Sequence, residues 1–167
     1  MRSRVVTLAG ALLALVVSAS LALPAVAAPS VDKVDAWISS RTAKKVGLGI
    51  VNADGTNQTK TRRISAGHSV TFKIGAVRHG SGTGTVEFVG GAGAPNYAVS
   101  YRLMDGTDIT TDITGRGYTF RGVADGETVR IVLQVTTTHA ADQNAIFAVL
   151  ARTPDRSDMV IGRVVIR

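Results

Sequence analysis

Residues 124–138 read A-D-G-E-T-V-R-I-V-L-Q-V-T-T-T, and this stretch decides the fold class. The turn residues Asp125, Gly126 and Glu127 feed a run in which Val129, Ile131, Leu133 and Val135 alternate with Thr128, Arg130, Val132, Gln134 and Thr136. Successive side chains of a strand point to opposite faces, so a wholly apolar row at period two predicts a long antiparallel strand lying on a core.

Outward from this strand the same period recurs. Upstream it marks Tyr118-Thr119-Phe120-Arg121, the row Tyr97, Val99, Tyr101 and Leu103, the short run from Thr85 to Val89, and His68 to Val77 with Val70, Phe72, Ile74 and Ala76 inward. Val34 to Ser39 is the first expected strand, and Val46 to Val51, which interleaves glycine with apolar residues, reads as a short close-packed edge segment. Gln58 to Ile64 is polar, β-branched and basic, as expected of an edge strand that must not pair with other chains. Downstream, Ala145 to Arg152 is apolar on both faces and reads as a central strand, and Met159 to Ile166 as the last one. Ile109 and Ile113 are expected to plug the core after the turn at Asp105 to Asp108. No segment after the N-terminal region has a sustained helical period. Eight or nine short strands, spaced by about ten residues, predict an all-β, antiparallel, immunoglobulin-like β-sandwich.

The N-terminus differs in kind. Met1 to Arg4 is basic, Val5 to Leu23 is almost wholly apolar, and Ala25-Val26-Ala27 supplies a small-residue cleavage pattern. That order predicts a helical secretory signal peptide over 1–27, a flexible leader over 28–33 and the sandwich over 34–167. The expected localisation is secreted, with no membrane attachment after cleavage. The chain has no cysteine, which excludes a lipid-modified cysteine, disulfides and thiol chemistry, so the fold must rest on its core.

Of the 19 basic residues, removal of Arg2 and Arg4 with the signal leaves 17 against 12 acidic ones, a net +5. Such a surface favours weak attraction to anionic polymers. The basic residues are scattered and not interleaved with aromatics that could stack bases, so no nucleic-acid partner is expected. Their densest cluster gives the candidate partner-binding residues Lys60, Arg62 and Arg63, an anion-binding strip on the expected edge strand.

Other candidate residues have structural explanations. Trp37 reads as a cover on the core, and Tyr97 and Tyr101 as inward residues. Exposure of these rings on one face would instead make a carbohydrate-stacking platform. The glycine-rich stretch Arg78 to Thr85 lacks the lysine and following helix of a phosphate loop, and reads as a flexible hairpin loop. Asp105, Asp108 and Asp112 are the nearest approach to a calcium site but lack the rhythm of the helix-loop-helix motif. His68, His79 and His139 have no spacing that pairs them as zinc ligands, and no nucleophile motif is present. The expectation is therefore no catalytic residue, no cofactor and no metal.

The segments D-A-W-I (35–38), V-N-A-D-G-T-N-Q-T (51–59), A-G-H-S-V-T-F-K-I (66–74), Y-R-L-M-D-G-T-D-I-T (101–110), the run from Gly117 to Val135 and D-R-S-D-M-V (155–160) resemble a repeated extracellular module of secreted bacterial proteins. That family is the cell-adhesion-related, CARDB-like group of immunoglobulin-like domains. The resemblance implies a non-enzymatic module, with structural or adhesive contacts to a protein or to an anionic envelope polymer. The chain departs from the family's pattern in its single copy and at Arg78-His79-Gly80. The alternative carried beside it is a carbohydrate- or envelope-polymer-binding module; a hydrolase would need acids converging in a cleft.

Overall fold

The computed structural model describes residues 31–40, 44–141 and 143–167. The expected signal peptide and the first part of the leader lie outside the described residues. Where the sequence alternates, the chain is extended: β1 (Lys33–Ser39), β2 (Thr59–Ile64), β3 (Ser69–His79), β4 (Thr83–Gly90), β5 (Tyr97–Leu103), β6 (Tyr118–Ala124), β7 (Thr128–Thr137), β8 (Ala145–Arg152) and β9 (Ser157–Ile166). A short helix, α1 (Thr110–Thr114), interrupts them between β5 and β6.

The strands form two facing sheets, one ordered β1-β3-β7-β5 and the other β2-β9-β8-β4-β6. The opening stretch lies where its pattern demands. β7 pairs with β3 on one side and β5 on the other, and Ile131, Leu133 and Val135 are fully enclosed. Facing them, Phe147, Val149 and Ala151 of β8, Phe88 of β4 and Val160 of β9 complete the core. Burying such side chains contributes about 1.5–3 kcal/mol each, which is how a chain without disulfides can hold its fold. Gly162 keeps the sheets close: a Cβ there would stand 3.2 Å from Phe72 Cε2 across the interface.

Four expectations are corrected by this topology. β2 runs parallel to β9, with Thr61 opposite Arg163 and Arg63 opposite Val165, so the sheets are not wholly antiparallel. Val46 to Val51 is not a strand. Val46 makes one bridge to Ile38, after which Gly47 and Gly49 adopt positive φ and turn the chain away. Arg78 to Thr85 is not an in-sheet hairpin, because β3 and β4 belong to different sheets and the loop arches between them. α1 is helical although its sequence is too short to show a period; it buries Ile113, and Ile109 just before it is buried too, as the sequence predicted.

Two charged residues enter the interior. Arg78 continues the inward row of β3 and is 1% exposed. Its Nη2 donates to Asp32 Oδ1 at 2.6 Å and its Nη1 to the carbonyls of Gly82 and Val123, at 2.9 and 3.2 Å. Asp158 similarly occupies the inward row of β9, accepting from the Ala36 amide at 2.6 Å, the Asn52 amide at 3.0 Å and Gln58 Nε2 at 2.6 Å. This carboxylate ties the 52–58 turn to both sheets. A buried charge persists only when paired or hydrogen-bonded in this way, and of the Arg78 guanidinium only Nε is left without a partner.

Candidate functional site

The site is built on β2, at the free edge of the five-stranded sheet. Alternation divides its side chains: Arg62 is half-buried on the same side as the buried Ile64, whereas Thr61 and Arg63 are exposed on the other. Because Thr61 pairs in register with Arg163 of β9, Arg163 projects from the same outer face as Arg63. The last residue of the sequence joins them, since the Arg167 amide donates to the Ile64 carbonyl at 3.2 Å.

Two clefts result, one on each side of β2. The inner one, of about 570 Å³, is lined by Arg62, Arg63 and Arg167, by His68, by the hydroxyl residues Ser65, Ser69 and Thr71, and by Ile64 and Val70. The outer one, of about 580 Å³, is lined by Thr61, Arg62, Arg63, Asn144, Arg163 and Val165. No aspartate or glutamate is among the lining residues of either. The ion pairs among the described residues are Arg78 with Asp32, His79 with Asp125 and Arg152 with Glu87, so no described Asp or Glu side chain pairs with Arg62, Arg63, Arg163 or Arg167. Arg62 Nε is in addition enclosed without a hydrogen-bond partner.

Of the three residues the sequence singled out, the structure unites Arg62 and Arg63 and sets Lys60 apart. Lys60 Nζ donates to the Lys44 carbonyl at 3.4 Å and lines neither cleft. Arg163 and Arg167 escaped notice. Arg163 is recognisable as an outward residue of the last strand, but its nearness to Arg63 depends on a parallel pairing that no local pattern reveals.

The remaining candidates are placed elsewhere. Trp37, Tyr97 and Tyr101 are all buried, at 4%, 8% and 0% exposure, so no aromatic platform faces solvent and that form of the carbohydrate reading is withdrawn. Trp37 nevertheless lies outside the core cluster. Its indole rests over Gly75, whose added Cβ would stand 2.3 Å from Cζ2, with Lys45 Nζ 4.3 Å from the ring centroid. Tyr97 donates its hydroxyl to the Gln143 carbonyl, and Tyr101 donates to the Gly91 carbonyl at 3.1 Å. Burial pushes the Tyr101 phenol up to about 12. Asp105 and Asp108 fold back onto their own turns, accepting from the Thr107 and Thr110 amides at 2.9 and 2.8 Å. Those bonds, with the threonine hydroxyls, hold both carboxyls below the usual range. Asp112 lies in α1, and among the described residues no three His, Asp or Glu side chains group as metal donors.

No family model matches the chain, and no curated protein matches it, so the CARDB-like resemblance stands only at the coarser level of a two-sheet β fold. Among solved structures it is similar to a family 123 glycoside hydrolase from Clostridium perfringens, analysed for glycolipid glycan hydrolysis. The identity is 11% and the TM-score 0.48, over 81% of this chain and 27% of that one. The chain thus spans about a quarter of that structure's length. The expectation that the chain is not an enzyme is withdrawn: a solved structure similar to it is a glycoside hydrolase, and a likeness of this degree assigns no activity, or lack of one, to the chain. Catalysis resides in sites and not in scaffolds, so a sandwich without a sequence motif does not imply its absence. At this identity and TM-score the likeness assigns no substrate and no catalytic residue to this chain.

Proposed function

We propose that the chain is an exported, immunoglobulin-like β-sandwich that holds an anionic polymer of the cell envelope along its β2 edge. The observation that carries this reading is the convergence of Arg62, Arg63, Arg163 and Arg167 with no described Asp or Glu side chain paired to any of them. Cations gathered without counter-charges repel one another, and an anionic partner relieves that repulsion. Guarding the sheet edge against other strands accounts for charges on β2 itself. It does not account for Arg163, which lies on an interior strand of the sheet. The basic, apolar and small-residue segments of the N-terminus support export, and the antiparallel pairs around β7 support the immunoglobulin-like assignment.

The test is retention on a sulfated polymer such as dextran sulfate as salt is raised. The wild-type protein is expected to bind at low salt and to elute as salt screens the contacts. The pair Arg63→Glu with Arg163→Glu, both exposed, is expected to weaken binding by about tenfold or more. Equal binding by the double variant, or no retention of the wild type at low salt, would overturn the reading.

A further inference from the structure

The two sides of β2 are not equivalent. On the outer side Arg63 and Arg163 are exposed, as suits diffuse attraction to charge. On the inner side Arg62 is half-buried and its Nε is enclosed with no hydrogen-bond partner. The enclosed Nε stays unpaired, and no hydrogen bond among the described residues occupies the terminal nitrogens, which are the Arg62 donors an anion in the cleft would meet. The cleft it lines gathers further donors from both sheets. Ser65 follows β2 and Thr71 lies on the exposed row of β3, and no hydrogen bond among the described residues occupies either hydroxyl. His68 also lines the cleft, but with Nδ1 donating to the Ala66 carbonyl its Nε2 is an acceptor in the neutral ring and supplies no donor. β1 ends opposite Lys73, so the start of β3 borders the cleft as an uncovered edge.

We infer that this inner cleft is a binding site for a tetrahedral oxyanion, a phosphate or sulfate group, held by the Arg62 guanidinium with Ser65 and Thr71 as supporting donors. The spread of the lining donors over three segments distinguishes this from a carboxylate site. A carboxylate presents two oxygens in one plane and is satisfied by a single guanidinium fork. The cleft is lined from β2, from the turn after it and from β3, and a tetrahedral group offers an oxygen toward each of them. The inference rests on the anionic-polymer reading and deepens it, naming the charged group that the polymer carries.

The experiment is an amide-resolved NMR titration of the purified protein with inorganic phosphate and inorganic sulfate, against acetate at matched ionic strength. Saturable shifts at Ser65, His68 and Thr71 with phosphate and sulfate, at least tenfold weaker with acetate, are expected. Arg62→Lys keeps the charge and loses the fork, and is expected to weaken oxyanion binding by about tenfold. Arg62→Gln serves as a second variant, and the unperturbed spectrum of β7 shows for each that the fold is intact. Equal response to acetate, or unchanged affinity in Arg62→Lys, would overturn the site. An adventitious, non-saturating response of the whole basic edge would do the same.

A parallel arm compares polyphosphate and dextran sulfate with polyglutamate. Retention of all three equally, unaffected by Arg62→Lys, overturns the oxyanion site and leaves the anionic-polymer reading standing. If no polymer is retained while free phosphate saturates the cleft, the polymer reading falls and the site stands. Preference for polyphosphate over dextran sulfate, or the reverse, identifies which oxyanion the site serves.

Discussion

Replacing Asp32 with asparagine tests the reasoning about the interior most directly. Arg78 is 1% exposed and Asp32 19%, with 2.6 Å between Nη2 and Oδ1. Breaking a fully buried pair by removing one partner costs about 3–5 kcal/mol, because the other charge is stranded. Two features lower the figure here: Asp32 is partly open to water, and the guanidinium keeps the carbonyls of Gly82, Val123 and Ser81. About 2 kcal/mol is therefore expected for Asp32→Asn. For a domain of this size that corresponds to a fall in Tm of roughly 6–8 °C. Arg78→Met removes the charge together with its desolvation but leaves carbonyls unpaired, and should cost about 1–3 kcal/mol. In the double variant the losses should not add, with a coupling of about 1–2 kcal/mol recovered. Urea denaturation of all four proteins measures the cycle, and repetition in high salt should change it little, since an enclosed pair is poorly screened. The reasoning fails if Asp32→Asn shifts stability by less than about 0.5 kcal/mol, or if the two substitutions simply add.

Two further outcomes follow from the packing and the titrations. Gly75→Ala would drive a Cβ to within 2.3 Å of Trp37 Cζ2, so overpacking should cost about 1–3 kcal/mol and shift the tryptophan fluorescence. An unchanged emission spectrum with unchanged stability would show that the indole does not rest on Gly75. Asp54, Asp105 and Asp108 have carboxyls lowered from 3.8 by hydrogen bonds from Thr56, Thr107 and Thr110. Their stabilising contribution is present above the unfolded value and is lost as pH falls through the lower folded values. Asp35 is raised, chiefly by desolvation, so its ionisation opposes folding and its contribution has the contrary sign. Urea midpoints measured from neutral pH down to about pH 2.5 should therefore fall less steeply in the triple asparagine variant of the three turn aspartates than in the wild type. Parallel profiles would remove the turns from the account of acid sensitivity.

The faces of the strands were legible because alternation is a local property. Val129 to Val135, Tyr97 and Tyr101, and Ile109 with Ile113 all lie where period and turn chemistry place them. Arg78 was misassigned to a loop although it continues the parity of Val70, Phe72, Ile74 and Ala76. The glycines after it mark a loop locally, and nothing near it in sequence shows the partner that lets a basic residue sit on a core row, since Asp32 lies 46 residues away. Asp158 shares the parity of Val160 and Val164, and its burial is equally illegible locally, because the Gln58 that satisfies it is 100 residues distant.

The site divides along the same line. The sequence by itself determined that β2 is a basic strand and that Arg62 and Arg63 face opposite ways, since adjacent residues of any strand do so. Only the tertiary structure decided that Lys60 turns aside to the Lys44 carbonyl while Arg163 and Arg167 join the arginines. That choice depends on β2 running parallel to β9, a pairing favoured by burial of both sheets' inner rows and by the Asp158 network, whose hydrogen bonds join residues a hundred or more positions apart. Local alternation can say which way a side chain points, but the neighbour it meets is set by contacts between residues a hundred positions apart.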